Sequence, residues 1–226
     1  MISKEGAPNG GPSFLSIPKK VFLHFSNRGG LLYSKVGDNF YIYFTDLVMN
    51  PLEDLLEKIE SLGLWEKQLT LSRNEYLKVK GSTDTRIYLI VSGSLRVFVT
   101  DDKEEHTIRF GYQGNLIAAL DSYITGQPSD LYIQALKKTT VKAISKNAFD
   151  SFVNGSEANM RLWQEILTAL IYQQMERERD ILTSSPMDRY NRVLTRSPQL
   201  FQEIPHKYIA SYLRMTPETL SRIKKD

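Results

Sequence analysis

The sequence predicts an α+β chain: a leading helix, a short-stranded antiparallel barrel or sandwich, one long helix, and two short helices at the end. Three observations predict it. Apolar residues recur at helical spacing over 52–62 and again over 157–182. Between Leu69 and Ile144, short β-branched and alternating runs are separated by turn residues. Beyond Pro205, two short amphipathic segments flank a three-residue turn. The chain has 226 residues, 41% of them hydrophobic and 24% charged, which suffices for a buried core without staples.

Residues 1–13 are rich in Gly, Pro and Asn and are expected to be disordered. Residues 14–48 hold many aromatics without a clean period, and Phe40–Phe44 reads as one strand. Two readings of 1–48 stay open: an accessory hairpin, or non-native sequence upstream of a natural start at Met49. Met49 is followed by a helix signal. Asn50 is an N-cap residue, Pro51 suits the first helical position, and Glu53 and Asp54 suit the positive end of the helix dipole. Leu52, Leu55, Leu56, Ile59 and Leu62 follow, and Gly63 ends the run.

In the β region, Arg86–Val91 is apolar and β-branched. Leu95, Val97 and Val99 alternate with Arg96, Phe98 and Thr100, which predicts a half-buried strand. Asp101–Glu105 reads as a charged hairpin tip, and Leu131–Leu136 and Thr139–Ile144 close the β region. Helices return at Lys146. The long one, about Glu157 to Leu182, spans roughly 39 Å at 1.5 Å per residue, more than one small barrel needs for cover. Leu162, Ile166, Leu170 and Ile171 line one face, bordered by Trp163, Leu167 and Gln174 and extended by Met175 and Ile181, and this surplus stripe reads as a coiled-coil-like homodimer seam. Ser184-Ser185-Pro186 breaks this helix. Another follows with Met187, Tyr190, Val193 and Leu194, ending before Ser197-Pro198.

Composition excludes several chemistries. The chain has no cysteine, hence no disulfide, thiolate zinc site, cysteine-held cluster or cysteine nucleophile. The three histidines, His24, His106 and His206, stand too far apart for local metal-ligand spacing. In the β region His106 has only Glu104 and Glu105 beside it, too few clustered ligands for a metal enzyme. No Gly-rich phosphate loop, nucleophile elbow or His-Glu-x-x-His occurs. The sequence therefore predicts no catalytic residue, no metal, no cofactor and no enzyme. No stretch approaches 18 consecutive apolar residues, and no early apolar run is long enough for a signal peptide. The expected compartment is the cytoplasm.

Charge singles out the C-terminal end. Residues 184–226 carry eight Lys/Arg against four Asp/Glu, whereas 49–183 are net acidic. Such asymmetry accompanies phosphate backbones. Pro205–Leu213 predicts a short helix with Ile209, Ala210 and Leu213 apolar, and Ala210 small enough for a close crossing. Arg214-Met215-Thr216 is the turn. Thr216 caps a second helix that Pro217 opens, with Leu220 and Ile223 turned inward. This is a helix-turn-helix, whose second helix enters the DNA major groove. The outward set is Glu218, Thr219, Ser221, Arg222 and Lys225. It suits base-edge reading by Arg and Glu, adaptable hydroxyls, and phosphate contact by Lys. Thr216, Lys207 and Lys224 complete the expected DNA-binding residues.

Ile209-Ala-Ser-Tyr-Leu…Thr216-Pro-Glu-Thr-Leu-Ser-Arg-Ile resembles the helix-turn-helix of the Crp/Fnr (cyclic-AMP receptor protein-like) transcription regulators. Ile87-Tyr-Leu-Ile-Val-Ser-Gly-Ser-Leu-Arg-Val-Phe98 is similar to that family's strand–Gly–strand signature. The resemblance covers residues 49–226. It implies an α+β architecture with a β-roll of cyclic-nucleotide-binding type, a long dimerisation helix and a helix-turn-helix domain. The domains would be 49–155, 156–183 and 184–226, with 1–48 as an extension. It implies a homodimer on double-stranded DNA, reading an inverted repeat of TTGA-like half-sites through Glu218, Ser221 and Arg222. RNA polymerase and an unidentified small-molecule effector are implied as further partners.

Two departures temper this. Cyclic-AMP-binding members carry Gly-Glu and Arg-Ser pairs on the roll, where this chain has Gly114-Asn115 and Ser129-Asp130. Asp130 would repel a cyclic phosphate, and an amide serves the ribose hydroxyls less well than a carboxylate. Asn115, Ser129 and Asp130 are therefore candidate pocket residues of a roll expected not to bind cyclic AMP. The family also continues into a β-hairpin wing, whereas this sequence ends at Asp226; the wing is either absent or cut off. Arg214 stands where the family often has Gly, which predicts a left-handed backbone there. The alternative function is a ligand-binding or protein-interaction sensor of the same fold with a degenerate DNA-binding domain.

Overall fold

The computed structural model describes residues 50–101 and 104–225, together with the backbone of 32–36 and 39–43. The chain divides into two units, Met1–Val48 and Met49–Asp226. In the first, β1 (Leu32–Val36) and β2 (Asn39–Tyr43) form an antiparallel hairpin, with Leu32 opposite Tyr43. The expectations for residues 1–13 and for a start at Met49 lie outside the described residues, as do Asp102 and Lys103 of the predicted hairpin tip.

The second unit opens with α1 (Pro51–Ser61), capped as its sequence requires: the Asn50 side chain accepts from the Leu52 N–H. Eight strands follow. They are β3 (Lys67–Leu71), β4 (Tyr76–Lys78), β5 (Ile87–Ser92), β6 (Ser94–Thr100), β7 (Glu105–Tyr112), β8 (Leu116–Ile117), β9 (Tyr132–Ala135) and β10 (Thr139–Ile144). They form two four-stranded antiparallel sheets, ordered β3-β10-β5-β8 and β4-β9-β6-β7. The core between them holds Leu71, Tyr88, Ile90, Leu95, Val97, Ile117, Ile133, Ala135 and Val141. Burying side chains of this size is worth roughly 1.5–3 kcal/mol each.

Gly93 joins β5 to β6 at φ +94°. A Cβ there would lie 2.4 Å from Thr139 Oγ1, so both the backbone angle and the space demand glycine. Thr139 uses that closeness: its Oγ1 accepts from the Ser94 N–H and donates to the Ser94 carbonyl.

One expectation is corrected here. β6 is not half-buried by alternation; Ser94 through Phe98 are all buried. The strand is internal to its sheet, and its outer face is covered as well. The Arg96 guanidinium lies between the rings of Phe98 (3.8 Å) and Tyr208 (4.3 Å), the latter a residue of the C-terminal helices.

Two short helices escaped the sequence reading. One is α2 (Leu120–Thr125), ended by Gly126 in the left-handed region. The other is α6 (Pro198–Glu203). The remaining helices are α3 (Lys146–Asn154), α4 (Glu157–Leu182), α5 (Pro186–Arg196), α7 (His206–Tyr212) and α8 (Pro217–Ile223). A second cluster packs α1 and α3 through Leu55, Ile59, Phe149, Phe152 and Val153. Leu162, Trp163 and Ile166 of α4 pack onto it.

That packing uses part of the face predicted as a dimer seam. Leu162 and Ile166 serve the chain's own core, and Leu170 is half-buried. A stripe of apolar residues on a helix names a contact but not the partner that makes it. The exposed apolar residues of α4 are Met160, Ile171, Tyr172, Met175, Ile181 and Leu182; of these Met160, Ile171 and Met175 share an outer stripe with the half-buried Leu167.

The third cluster joins the roll to the C-terminal helices. Phe110 of β7 and Leu136 pack with Val193, Leu200, Ile204, Ile209, Ala210, Leu213 and Leu220. At the end of α4, Asp180 is fully buried. It accepts from Arg192 Nε (3.1 Å) and pairs with Arg196, both on α5. Glu176, one turn earlier, also takes Arg192 (3.2 Å).

Candidate nucleic-acid interface

α7 and α8 meet through residues too small or too apolar to face water. Ile209, Ala210, Leu213 and Leu220 are each no more than 1% exposed. The turn between the helices forms as its sequence predicts. Arg214 takes φ +54°, at a cost on the order of 1 kcal/mol for a non-glycine residue. Its carbonyl accepts from Arg189 Nη2 (3.2 Å) and the Met215 N–H bonds the Ala210 carbonyl (3.0 Å), so the strained residue is held on both sides. Thr216 caps α8 by accepting from the Thr219 N–H (3.2 Å).

These caps fix which way α8 faces. Leu220 is buried and Ile223 half-buried, leaving Glu218, Ser221, Arg222, Lys224 and Lys225 exposed and Thr219 half-buried. Among the described residues, the side chains of Glu218, Ser221, Arg222 and Lys225 make no hydrogen bond or ion pair. Lys224 is different: its Nζ donates to His206 Nε2 at 2.7 Å. Lys207 is exposed, with its ammonium 4.6 Å from the Tyr208 ring centre. The eight residues expected to contact DNA thus belong to one helix pair. Of these, Thr216 and Thr219 act as a cap and bond each other (3.1 Å).

The candidate pocket residues of the roll behave in the opposite way. Asn115 Oδ1 accepts from the Tyr112 N–H (3.1 Å), and its carbonyl accepts from Ile90. Ser129 is buried, and its Oγ accepts from the Leu131 N–H (3.0 Å). Asp130 is exposed, 3.6 Å from Lys80. No hydrogen bond joins Asn115 to Ser129 or Asp130. Lys78, which the sequence reading passed over, is 3% exposed and aims its ammonium at this turn. Nζ donates to the carbonyls of Val79 (2.9 Å), Ser129 (3.3 Å) and Leu131 (3.0 Å). Burial pushes its pKa down, and Asp121, Asp84 and Asp130 oppose that. The turn therefore presents carbonyl oxygens to the chain's own cation.

Residues 68–156 match the cyclic nucleotide-binding domain family. Among solved structures, a CooA variant from Carboxydothermus hydrogenoformans superposes with a TM-score of 0.60 at 19% identity, over 76% of this chain and 83% of that one. FixK2 from Bradyrhizobium japonicum gives 0.57 at 17%, over 70% and 82%. A CRP-family transcriptional regulator from Thermus thermophilus gives 0.55 at 16%, over 70% and 83%. The chain has the Crp/Fnr regulator fold. No curated protein sequence matches the chain. In this Crp/Fnr fold the two sheets are the β-roll, α4 is the long helix, and α7 and α8 are the terminal helix pair. Among the described residues, no helix is long and apolar enough to cross a membrane. No group of three His, Cys, Asp or Glu side chains is placed to hold a metal.

Proposed function

We propose that the protein is a sequence-specific DNA-binding transcription regulator. The observation that carries this is the surface of α8. Glu218, Ser221 and Arg222 project from one short helix and Lys225 from just past its end, none with a hydrogen bond or ion pair among the described residues. Charged and hydroxyl groups held on a capped helix and left uncommitted are what base-edge and phosphate recognition needs. Arg222 would fork onto guanine, Glu218 would accept from cytosine N4, and Ser221 would adapt to either neighbour. Lys207, Lys224 and Lys225 would hold the backbone.

The regulator acts as a homodimer through the outer stripe of α4, with Met160, Leu167, Ile171 and Met175 in the seam. Pairing there would set two copies of α8 on half-sites about 34 Å apart, one DNA turn. The roll does not take cyclic AMP, because the Lys78 ammonium already occupies the turn at Ser129 and Asp130 adds a negative charge beside it.

The test is fluorescence anisotropy of a labelled duplex carrying an inverted TTGA-type repeat against a scrambled duplex, at two salt concentrations, with and without cyclic AMP. The expected result is preference for the repeat, affinity falling steeply with salt, and curves indifferent to cyclic AMP. Equal affinity for both duplexes removes the sequence-reading role of α8. Binding to neither favours a sensor whose helix pair no longer holds DNA.

A further inference from the structure

Arg177 of α4 is a buried guanidinium without a carboxylate. It is 9% exposed. Among the described residues it makes no hydrogen bond or ion pair, and its only close partner is the Tyr212 ring of α7, 3.6 Å below it. None of its nitrogens is both sealed from solvent and unpartnered, so its polar edge reaches the surface. Arg109 of β7 reaches the same stretch of α4, and Tyr212 interacts with both arginines. Arg109 donates to Gln174 Oε1 (3.3 Å), one turn before Arg177 on α4, and it has no carboxylate either.

The nearby acids do not compensate. Glu176 and Asp180 are taken by Arg192 and Arg196, and Glu176 also by Arg179. Two guanidiniums are therefore in excess at the place where β7, α4 and α7 meet. Burial pushes the pKa of both down. For Arg177, Asp180 opposes that shift, and Arg214 and Arg196 add to it. A buried cation without a counter-charge is costly, and a planar fork is the group best suited to oxyanions.

We propose that Arg109 and Arg177 form a binding site for a small phosphate-bearing ligand at this three-way junction, separate from the interior of the roll and from α8. Two guanidinium charges match the two negative charges of a phosphate monoester, with the Tyr212 ring as a floor. A ligand held there touches the roll, the long helix and the helix pair at once. It would therefore stabilise the docked arrangement over any in which they part.

The site is tested on the full chain with inorganic phosphate, by calorimetric titration and by thermal unfolding at fixed ionic strength. The expected result is saturable heat and a saturable rise in the unfolding midpoint. In Arg177→Gln the half-saturating phosphate concentration rises about tenfold or more, the equivalent of one lost charge-assisted hydrogen bond. Arg109→Lys, which keeps the charge but loses the fork, also weakens binding. It serves as the test should Arg177→Gln not fold. Arg161→Gln, an exposed position on the same helix, leaves the response unchanged. No saturable response in the wild type, or an equal response in all three variants, overturns the site. So does a random duplex that loses affinity in Arg177→Gln while free phosphate does not bind, for then Arg177 is a DNA-backbone contact. The titration needs no DNA, so its outcome is independent of whether α8 reads sequence.

Discussion

The surface of α8 and the turns of the roll carry similar polar residues to opposite ends. On α8 and just past its end, Glu218, Ser221, Arg222 and Lys225 have no hydrogen-bond or ion-pair partner among the described residues. In the roll, Lys78, Asn115 and Ser129 are consumed by backbone groups a few residues away or across one turn. The difference lies in what surrounds them. A short capped helix satisfies its own backbone, so its outward side chains have nothing to bond but solvent or a ligand. An irregular turn exposes carbonyls and N–H groups, and nearby polar side chains are drawn to them. Consumed groups contribute stability and little recognition, whereas free groups contribute recognition and little stability.

The largest effect should come from a consumed group. Asp180 is fully buried between Arg192 and Arg196, and it ties α4 to α5. Asp180→Ala removes the buried anion that the two guanidiniums share and leaves them only Glu176, which Arg179 also takes. Both guanidiniums are partly exposed, so water recovers some of the loss. The expected destabilisation is about 2–4 kcal/mol in urea unfolding. A loss no larger than that of an exposed ion pair would place the grip between the helices in the apolar cluster around Val193 instead.

The next effect belongs to a free group. Arg222→Ala should cost roughly 1–3 kcal/mol of affinity for the preferred duplex and relax preference at one base pair. Its unfolding free energy should stay within about 0.5 kcal/mol of wild type, since the side chain is exposed and makes no hydrogen bond or ion pair among the described residues. Destabilisation comparable to the affinity loss would collapse the distinction between the two regions.

Lys78 tests the consumed side by pH. Burial holds its pKa below the ordinary 10.5. Between its folded pKa and 10.5 the unfolded chain binds more protons than the folded one, so stability contributed here rises with pH. Tyr88 and Tyr123 act oppositely. Burial and the carboxylates of Asp84 and Asp150 raise their pKa, and stability falls once the unfolded phenols ionise, above about pH 10. Below pH 10 the rise therefore belongs to Lys78. Lys78→Met should abolish that rise, with a net change of only about 1 kcal/mol at neutral pH. The freed carbonyls and the removed buried charge offset each other. An unchanged slope in alkaline urea titrations would mean that the ammonium is better hydrated than its burial implies.

Legibility in the sequence followed the same divide. Local rules made α1, α4, α7 and α8 readable, because Asn50 and Thr216 cap α1 and α8 and the apolar spacing of α4 and α7 is regular. The positive φ of Arg214 was legible from the resemblance, which places Gly at that position of the turn. What failed was any question of which surface a face meets. The packing of α1 and α3 that half-buries Leu162 and Ile166 was not legible in the helical spacing. Arg96 looked solvent-facing by alternation, yet Tyr208, 112 residues further on, closes over it. Lys78 and Arg177 carry no local signal at all. A single Lys in a strand and one Arg in a charged helical stretch become unusual only when distant segments bury them. For the candidate interface, residue types and facing were readable. The absence of partners for Glu218, Ser221, Arg222 and Lys225 was not, because it depends on what the rest of the fold leaves alone.

The smallest effect separates two kinds of free group. Lys225 follows the last turn of α8, exposed and without a partner, whereas Lys224 already donates to His206. A lysine that meets only phosphate carries no sequence information. Lys225→Ala should therefore weaken repeat and scrambled duplexes by the same factor, and lower the slope of log affinity against log salt by about 1. Lys224→Ala should lower it less, because removing that side chain also frees His206 as a potential donor to the backbone. A change confined to the repeat would make Lys225 a reader of bases. It would also extend the recognition surface past the C-terminal end of α8, beyond where Arg222 alone would place its edge.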